Sequence, residues 1–238
     1  MAKGMRVKLN YAVSRDPDTG AEITRLTPPE VTCHRNYFYQ KCFFNDGSHL
    51  LFAGEFDGHW NYYLLNIATA EAVQLTEGAG DNTFGGFLSP DDSALYYVKN
   101  DRTLLEVNLS TLQERQVYRV PDEWVGYGTW VANSDCSKLV GIEIAKSDWT
   151  PLNDWQIFPP TSSIKVRTAV CCASTCKAAR AALFMKRKNG WAIPIYRPFD
   201  DDTVAFCHEG PHDLVDAPDV DGQRRWQPRT ESQRACRG

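Results

Sequence analysis

The feature that most constrains the fold of this chain is an internal repeat of about 45 residues in its first two thirds. A polar turn followed by a short apolar segment occurs three times, at residues 45–52, 90–98 and 134–140. The turn residue Gly47 precedes Asp92 by 45 positions, and Asp92 precedes Cys136 by 44. A second apolar segment, at residues 62–69, recurs in phase at residues 103–111. The first part of the chain is therefore a series of similar structural units.

Each unit has the composition of short antiparallel strands joined by tight turns. Asp, Gly, Ser and Pro supply the side-chain hydrogen bonds and the backbone geometry that such turns require. The alternation within residues 104–109 fits a strand with one buried face. A period near 45 residues is typical of one blade of a β-propeller, and a β-sandwich with evenly spaced turns is the alternative. We predict an all-β fold and a β-propeller, because two separate segments keep one period.

The length of the chain limits how many blades it can contain. At roughly 45 residues per blade, 238 residues supply about four blades. A closed propeller of this kind usually needs more residues than that. The chain is therefore predicted to represent only part of a propeller.

Composition excludes several classes of partner. A net charge of −4 provides no basic surface for a nucleic-acid backbone. No run of 18 apolar residues is present, so we expect no membrane span. The first residues lack an apolar leader segment, which predicts a cytoplasmic protein. The eight cysteines are expected to stay reduced in that compartment.

The strand pattern fails in two intervals, which divide the chain into 1–158, 159–193, 194–217 and 218–238. Plausible codons for residues 171–177, read from the third base of the preceding codon, encode Leu-Leu-Arg-Val-Asp-Leu-Gln. That product is close to residues 104–109 of the chain itself. Plausible codons for residues 218–223, read from the second base, encode Arg-Met-Trp-Met-Val-Asn. We hypothesise that 159–193 and 218–238 are translated out of frame, between propeller blades at 1–158 and a propeller strand and loop at 194–217.

The out-of-frame hypothesis weakens a metal-like cysteine motif. Cys171, Cys172 and Cys176 are soft ligands at close spacing. They have no fourth ligand at a suitable distance along the chain, and they lie in a doubtful frame. We therefore predict no metal site in this chain.

Three segments carry a resemblance to a known family. They are Cys-His-Arg-Asn-Tyr-Phe-Tyr-Gln at 33–40, Pro-Ile-Tyr-Arg-Pro-Phe at 194–199, and Phe-Cys-His-Glu-Gly-Pro-His-Asp-Leu-Val-Asp-Ala at 206–217. With these segments, residues 1–158 and 194–217 resemble the oligogalacturonate lyases, the family twenty-two polysaccharide lyases of pectin-degrading bacteria. The resemblance implies a seven-bladed propeller, which would account for the missing length.

The resemblance also implies a reaction. Unsaturated digalacturonate and short oligogalacturonates would be cleaved by β-elimination to 5-dehydro-4-deoxy-D-glucuronate. A base removes the proton at C5 while the bond to O4 breaks, and a cation neutralises the adjacent carboxylate. In the family an Arg assists, a His is the base, and a manganese-like divalent metal is held by later residues. The implied partner is a small acidic oligosaccharide, and a second copy of the chain is a candidate partner.

Transferring the family's catalytic residues to this chain leaves none intact. Pro218 stands where the family has Arg, directly after Asp216 and Ala217. The motif that contains the base His, and the metal ligands after it, do not occur in the chain. The chain as written is therefore predicted to lack the catalytic and metal-binding residues.

The substrate-binding candidates are Arg35, Tyr37, Tyr39, His208 and His212. Arg35 could bind a uronate carboxylate through two hydrogen bonds, and the two tyrosines could stack on sugar rings. Alternatively, Arg35 pairs with a local acid and the tyrosines pack between blades. His208 and His212 flank a loop, where they could contact substrate or hydrogen-bond the backbone. With Cys207 they also have the residue types of metal ligands, and we favour the hydrogen-bonding role. Trp60 is expected to pack between blades.

Two alternatives to an active lyase stay open. One is an inactive, truncated propeller, and the other is a propeller that binds an anionic oligosaccharide or a protein without catalysis. The re-readable frames favour the lyase for the gene, because a binding module would have no reason to encode lyase segments out of frame.

Overall fold

The computed structural model describes residues 2–146, 163–170, 181–186, 191–196 and 204–209. In these residues it contains seventeen β-strands and no helix. The strands are β1 (Arg6–Lys8), β2 (Ala12–Arg15), β3 (Glu22–Arg25), β4 (Cys33–His34), β5 (His49–Gly54), β6 (Asn61–Asn66), β7 (Glu71–Gln74), β8 (Asp81–Leu88), β9 (Ala94–Lys99), β10 (Thr103–Asn108), β11 (Glu114–Arg119), β12 (Trp124–Ala132), β13 (Lys138–Ala145), β14 (Ser163–Val170), β15 (Ala181–Lys186), β16 (Trp191–Tyr196) and β17 (Val204–Glu209).

Consecutive strands form separate antiparallel sheets in which each strand pairs with the next one along the chain. Strands β4 to β7 form blade 1, with β1 added beside β7. Strands β8 to β11 form blade 2, and β12 to β15 form blade 3. Strands β16 and β17 pair with each other, and β2 and β3 form a separate hairpin. The chain is therefore a partial β-propeller, and the predicted fold class is confirmed.

The chain divides into two compact units, Met1–Gln116 and Val117–Gly238. In the first unit, blades 1 and 2 pack against each other through a cluster of buried side chains, which we call the seam. The seam consists of Leu51, Ala53, Tyr62, Leu75, Leu88, Leu95, Tyr97, Leu105 and Val107. In the second unit, Trp130, Val131, Leu139 and Val140 are buried on β12 and β13.

The repeated turn has the same hydrogen bond in all three copies. The side chains of Asp46, Asp91 and Asp135 each accept a hydrogen bond from the backbone N–H two residues later, at 2.9, 3.2 and 2.9 Å. Hydrogen bonds from neighbouring serine hydroxyls, together with these backbone bonds, hold the pKa of each carboxyl below its usual value. The sequence period thus corresponds to a repeated local structure.

The residue after each of these aspartates has a left-handed backbone. Its φ angle is 71° at Gly47, 61° at Asp92 and 56° at Cys136. Only glycine takes this conformation without steric cost. Asp92 offsets the cost with contacts to blade 1, since its carboxylate accepts hydrogen bonds from Lys41 Nζ at 2.5 Å and Asn45 N at 2.8 Å. The second copy of the turn therefore also ties blade 2 to blade 1.

Two strands lie in the interval 159–193, where the sequence shows no strand pattern. Strand β14 pairs with β13, and β15 pairs with β14. Strand β16 crosses the predicted boundary between residues 193 and 194. The out-of-frame hypothesis concerns the coding DNA and stays a prediction, as do the four predicted segments. Cys171, Cys172 and Cys176 lie outside the described residues.

In the part of the chain that the structure describes, no helix is long and apolar enough to cross a membrane.

Candidate functional site

The candidate site is the segment 33–40, which leaves blade 1 and runs along the first strand of blade 2. Strand β4 pairs with β5 through Cys33 and His34. After this short strand, Tyr37 N donates to Phe84 O at 3.0 Å, and Leu88 N donates to Lys41 O at 2.9 Å. The segment is therefore fixed to β5 at its start, and to β8 at Tyr37 and just past its end at Lys41.

His34 is held at both ring nitrogens. Its Nδ1 lies 3.0 Å from the Arg35 carbonyl oxygen and donates to it, because a carbonyl oxygen only accepts. Its Nε2 lies 3.1 Å from Thr83 Oγ1 on β8. The imidazole also stacks on the Phe84 ring at 4.3 Å and 12°, and contacts the Trp60 ring at 4.8 Å. Such a ring has one fixed orientation, which suits a positioning role.

Arg35 is exposed at the start of the segment. No acidic side chain in the described part of the chain forms an ion pair with it. The alternative in which Arg35 pairs with a local acid therefore has no such acid among those residues. An exposed guanidinium can bind a carboxylate through two parallel hydrogen bonds. Its role in substrate binding stays a prediction.

Tyr37 and Tyr39 belong to a small group of touching rings. Tyr37 contacts Phe38 at 4.7 Å and Tyr39 at 5.0 Å, and Phe38 contacts Tyr39 at 5.3 Å. Tyr37 is 40% exposed and Phe38 is 71% exposed, whereas Tyr39 is half-buried. Tyr37 and Phe38 therefore present ring surface to solvent, and a sugar-stacking role for Tyr37 and Tyr39 remains predicted.

Asn36 anchors the middle of the segment. Its side chain is buried, and its Nδ2 donates to the Gly86 carbonyl oxygen. Gly86 N in turn donates to Tyr62 Oη at 2.7 Å, which links the segment to the seam. Asn36 Oδ1 is buried and has no hydrogen-bond partner among the described residues. Burying such an acceptor without a partner costs free energy.

The other predicted site residues do not belong to this segment of the first unit. His208 lies in β17, with its Cα opposite that of Ala192 in β16. His212 and Pro218 lie outside the described residues. The roles of all three stay predictions.

Phe84 is a site residue that the sequence did not indicate. The pairing of β8 with β9 is irregular between Asn82 and Phe87, and the strand pattern cannot specify which side chains such an irregularity turns outward. Phe84 is 59% exposed, whereas Phe87 is 4% exposed. Trp60 packs against the seam, as expected, and it also contacts His34.

The described residues do not form a metal site. No group of three or more His, Cys, Asp or Glu side chains among them could hold a metal ion. This part of the chain therefore does not fit a divalent metal.

The comparisons with known proteins agree with one another. The family described as oligogalacturonate lyase matches residues 1–222. The chain is 61% identical over 220 residues to the oligogalacturonate lyase of Dickeya dadantii (strain 3937), and 61% identical over 225 residues to the oligogalacturonide lyase of Pectobacterium atrosepticum. Each alignment covers 91% of this chain and 56% of the relative. The chain thus spans about half the length of the curated relatives it matches.

Solved structures give the same result. A structure described as oligogalacturonate lyase in complex with manganese superimposes with a TM-score of 0.81 at 60% sequence identity. The superposition covers 91% of this chain and 57% of the solved chain. An oligogalacturonate lyase from Vibrio parahaemolyticus gives a TM-score of 0.80 at 53% identity. The blades described above are therefore those of this group of enzymes.

Proposed function

This chain belongs to the oligogalacturonate lyase family, and we propose that the full-length product of its gene cleaves unsaturated digalacturonate and short oligogalacturonates by β-elimination. The observation that carries the proposal is the 61% identity to a curated lyase over 220 residues. The product would be 5-dehydro-4-deoxy-D-glucuronate, formed in the degradation of pectin. We further propose that the protein works in the cytoplasm, and a homodimer is part of the same proposal.

The reaction needs two kinds of group. A base must remove the proton at C5, and positive charge must neutralise the neighbouring carboxylate as negative charge develops. In this chain, Arg35 is the proposed carboxylate-binding group of the N-terminal blades. Tyr37 and Tyr39 are proposed to contact sugar rings, and His208 and His212 to contact substrate. These residues bind and orient the substrate, while the base and the metal ligands belong to parts that this chain does not contain.

A manganese-like divalent metal is proposed for the complete protein only. One solved structure is that of an oligogalacturonate lyase in complex with manganese. In the part of this chain that the structure describes, no group of His, Cys, Asp or Glu side chains could hold a metal ion. The chain as written also has Pro218 in place of the family's Arg. We therefore expect the 238-residue polypeptide to be inactive and a frame-restored product to be active.

The test begins with the coding DNA. Resequencing across codons 155–238 and past the stop would show whether compensating shifts flank 159–193 and whether another follows Ala217. The family match spans residues 1–222, so it includes 159–193 and ends within 218–238, and only the coding DNA can test the hypothesis.

The corrected gene and the gene as written would then be expressed side by side. Activity would be followed by the ultraviolet absorbance of the unsaturated uronate product from trigalacturonate. We expect release of product only by the corrected protein. A corrected, folded, manganese-supplied protein that releases no product would refute the proposed function.

A further inference from the structure

We propose that Phe84 forms the stacking surface of a binding site for one uronate residue of an acidic oligosaccharide, with Arg35 binding its carboxylate. The inference rests on the proposed function and extends it to a specific subsite. It assigns a role to Phe84, which the sequence pattern gives no reason to select.

The exposure of Phe84 is the first support. Its ring is 59% exposed, although the following residues of the same strand, through Leu88, are buried. The irregular pairing of β8 with β9 begins just before Phe84. Such irregularities often re-aim a side chain next to an active site. An aromatic ring held in solvent at this point needs an explanation other than core packing.

The second support is that the exposed ring is held rigidly. Phe84 stacks on His34, whose imidazole is held by Arg35 O and Thr83 Oγ1. Trp60 contacts the same imidazole and packs on the seam. A ring fixed before binding loses little conformational entropy when a ligand stacks on it. Trp60, His34 and Phe84 therefore form a prepared surface.

The third support is the charge beside this surface. The hydrogen bond from Tyr37 N to Phe84 O places the segment that contains Arg35 against Phe84. Among the described residues no acid forms an ion pair with the Arg35 guanidinium. The guanidinium can therefore bind a carboxylate through two parallel hydrogen bonds. A uronate combines an apolar ring face with a carboxylate, and it matches both features.

The exposed side chains of the patch are aromatic rings beside one arginine. The exposed apolar residues of the patch, Tyr37, Phe38 and Phe84, are all aromatic. The aliphatic side chains of comparable exposure in the described residues are Met5, Val13 and Ile23, and none of them belongs to the segment 33–40. Flat rings beside an arginine suit a polyhydroxylated ring with a negative charge.

The test compares Phe84→Ala and Arg35→Gln with the matched control Phe43→Ala, which removes an exposed ring outside the patch. Binding of trigalacturonate and of its fully methyl-esterified form to the 238-residue chain would be measured by calorimetry. We expect Phe84→Ala to weaken binding of both ligands by about tenfold. Arg35→Gln should weaken binding of the acid only, and Phe43→Ala should change neither.

Unchanged binding in Phe84→Ala, or a loss specific to the acid, would overturn the role of Phe84. Phe84→Ala in the corrected full-length protein should raise KM for trigalacturonate and leave kcat unchanged, because stacking holds substrate and transition state alike. A lower Tm with an unchanged KM would show that the rest of the protein covers Phe84, and would also overturn the inference. Absence of cleavage by the unsubstituted full-length protein would instead refute the proposed function, while the binding result would still decide the subsite.

Discussion

Two groups of aromatic residues in the first unit lie close together in sequence but differ completely in exposure. Tyr62, Tyr63 and Tyr97 are fully buried in blades 1 and 2, whereas Phe38 and Phe84 are more than half exposed. The buried group packs the blades, and the exposed group surrounds a candidate binding site. Residue type alone therefore does not distinguish a structural aromatic from a functional one in this fold.

The polar atoms of the two groups differ as well. In the seam, Tyr62 Oη accepts from Gly86 N, and Tyr97 Oη donates to Glu114 Oε2 at 2.8 Å. Burial raises the pKa of both Tyr62 and Tyr97 above the usual value. Their hydroxyls therefore stay neutral and serve as fixed hydrogen-bonding groups. The exposed rings, in contrast, present surface that can meet a ligand.

The largest expected effect separates the two regions by stability. Leu95→Ala should lower the free energy of unfolding by about 3 kcal/mol, because Leu95 is fully buried in the seam and leaves a cavity. Phe38→Ala, at a residue 71% exposed, should change it by less than about 0.5 kcal/mol. Urea unfolding followed by fluorescence measures both. Similar losses in the two variants would contradict the division into seam and exposed surface.

The second effect concerns the point where the two regions meet. A Cβ added at Gly86 would lie 2.4 Å from Tyr62 Oη, so Gly86→Ala should destabilise the protein by about 2 kcal/mol. The same change should displace Asn36, which donates to Gly86 O, and should weaken ligand binding. Tyr62→Leu removes the clashing hydroxyl together with ring atoms Cζ and Cε1, which would lie 2.4 and 2.9 Å from the added Cβ, and it serves as the control. In that background, the loss caused by Gly86→Ala should become smaller, and an unchanged loss would show that another contact is responsible.

The third effect is a pH dependence that arises in the buried polar part of the first unit. Burial raises the pKa of Asp81 to about 6, from a usual value of 3.8, although Thr76 donates to it and Lys99 Nζ lies 3.7 Å away. The folded state then binds a proton that the unfolded state has lost. The stability from Asp81 is complete below about pH 4 and is lost as pH rises through about 6.

Asp81→Asn should remove this dependence. Between pH 4 and pH 7 we expect the unsubstituted protein to lose stability on the order of 2 kcal/mol from this group, and the variant to lose less. Urea unfolding at closely spaced pH values checks the slope. Asp46→Asn is the control, because the pKa of that exposed carboxyl is lowered and its effect falls below this pH range. Equal slopes in Asp81→Asn and the unsubstituted protein would contradict the assignment.

The smallest effect uses the turn that joins β6 to β7. Ala70 has a φ angle of 54°, in the left-handed region that glycine favours. Ala70→Gly should therefore stabilise the protein by about 0.5 kcal/mol. The conformational entropy that glycine adds to the unfolded chain reduces this gain. Ligand binding should not change. A clear destabilisation would show that the alanine methyl group makes a contact worth more than the backbone cost.

The sequence predicted much of the fold because the fold repeats. Turns with Asp at the same place in each copy recur every 44 to 45 residues and have the same hydrogen bond in the structure. Strands β14 and β15 were not predicted, because their segment lacks the repeated pattern. Of the site, the segment 33–40 was predicted from its residue types and its resemblance, but Phe84 was not.

The sequence by itself determined the all-β class, the blade period, and the family through its unusual segments. Turn chemistry and strand alternation are local, and they act wherever those residues occur. The tertiary structure alone decided which aromatic rings are buried, that Gly86 joins Tyr62 to Asn36, and that Asp81 lies where its charge is unfavourable. These properties depend on the packing of one blade against the next, which brings together residues more than 20 positions apart in the chain.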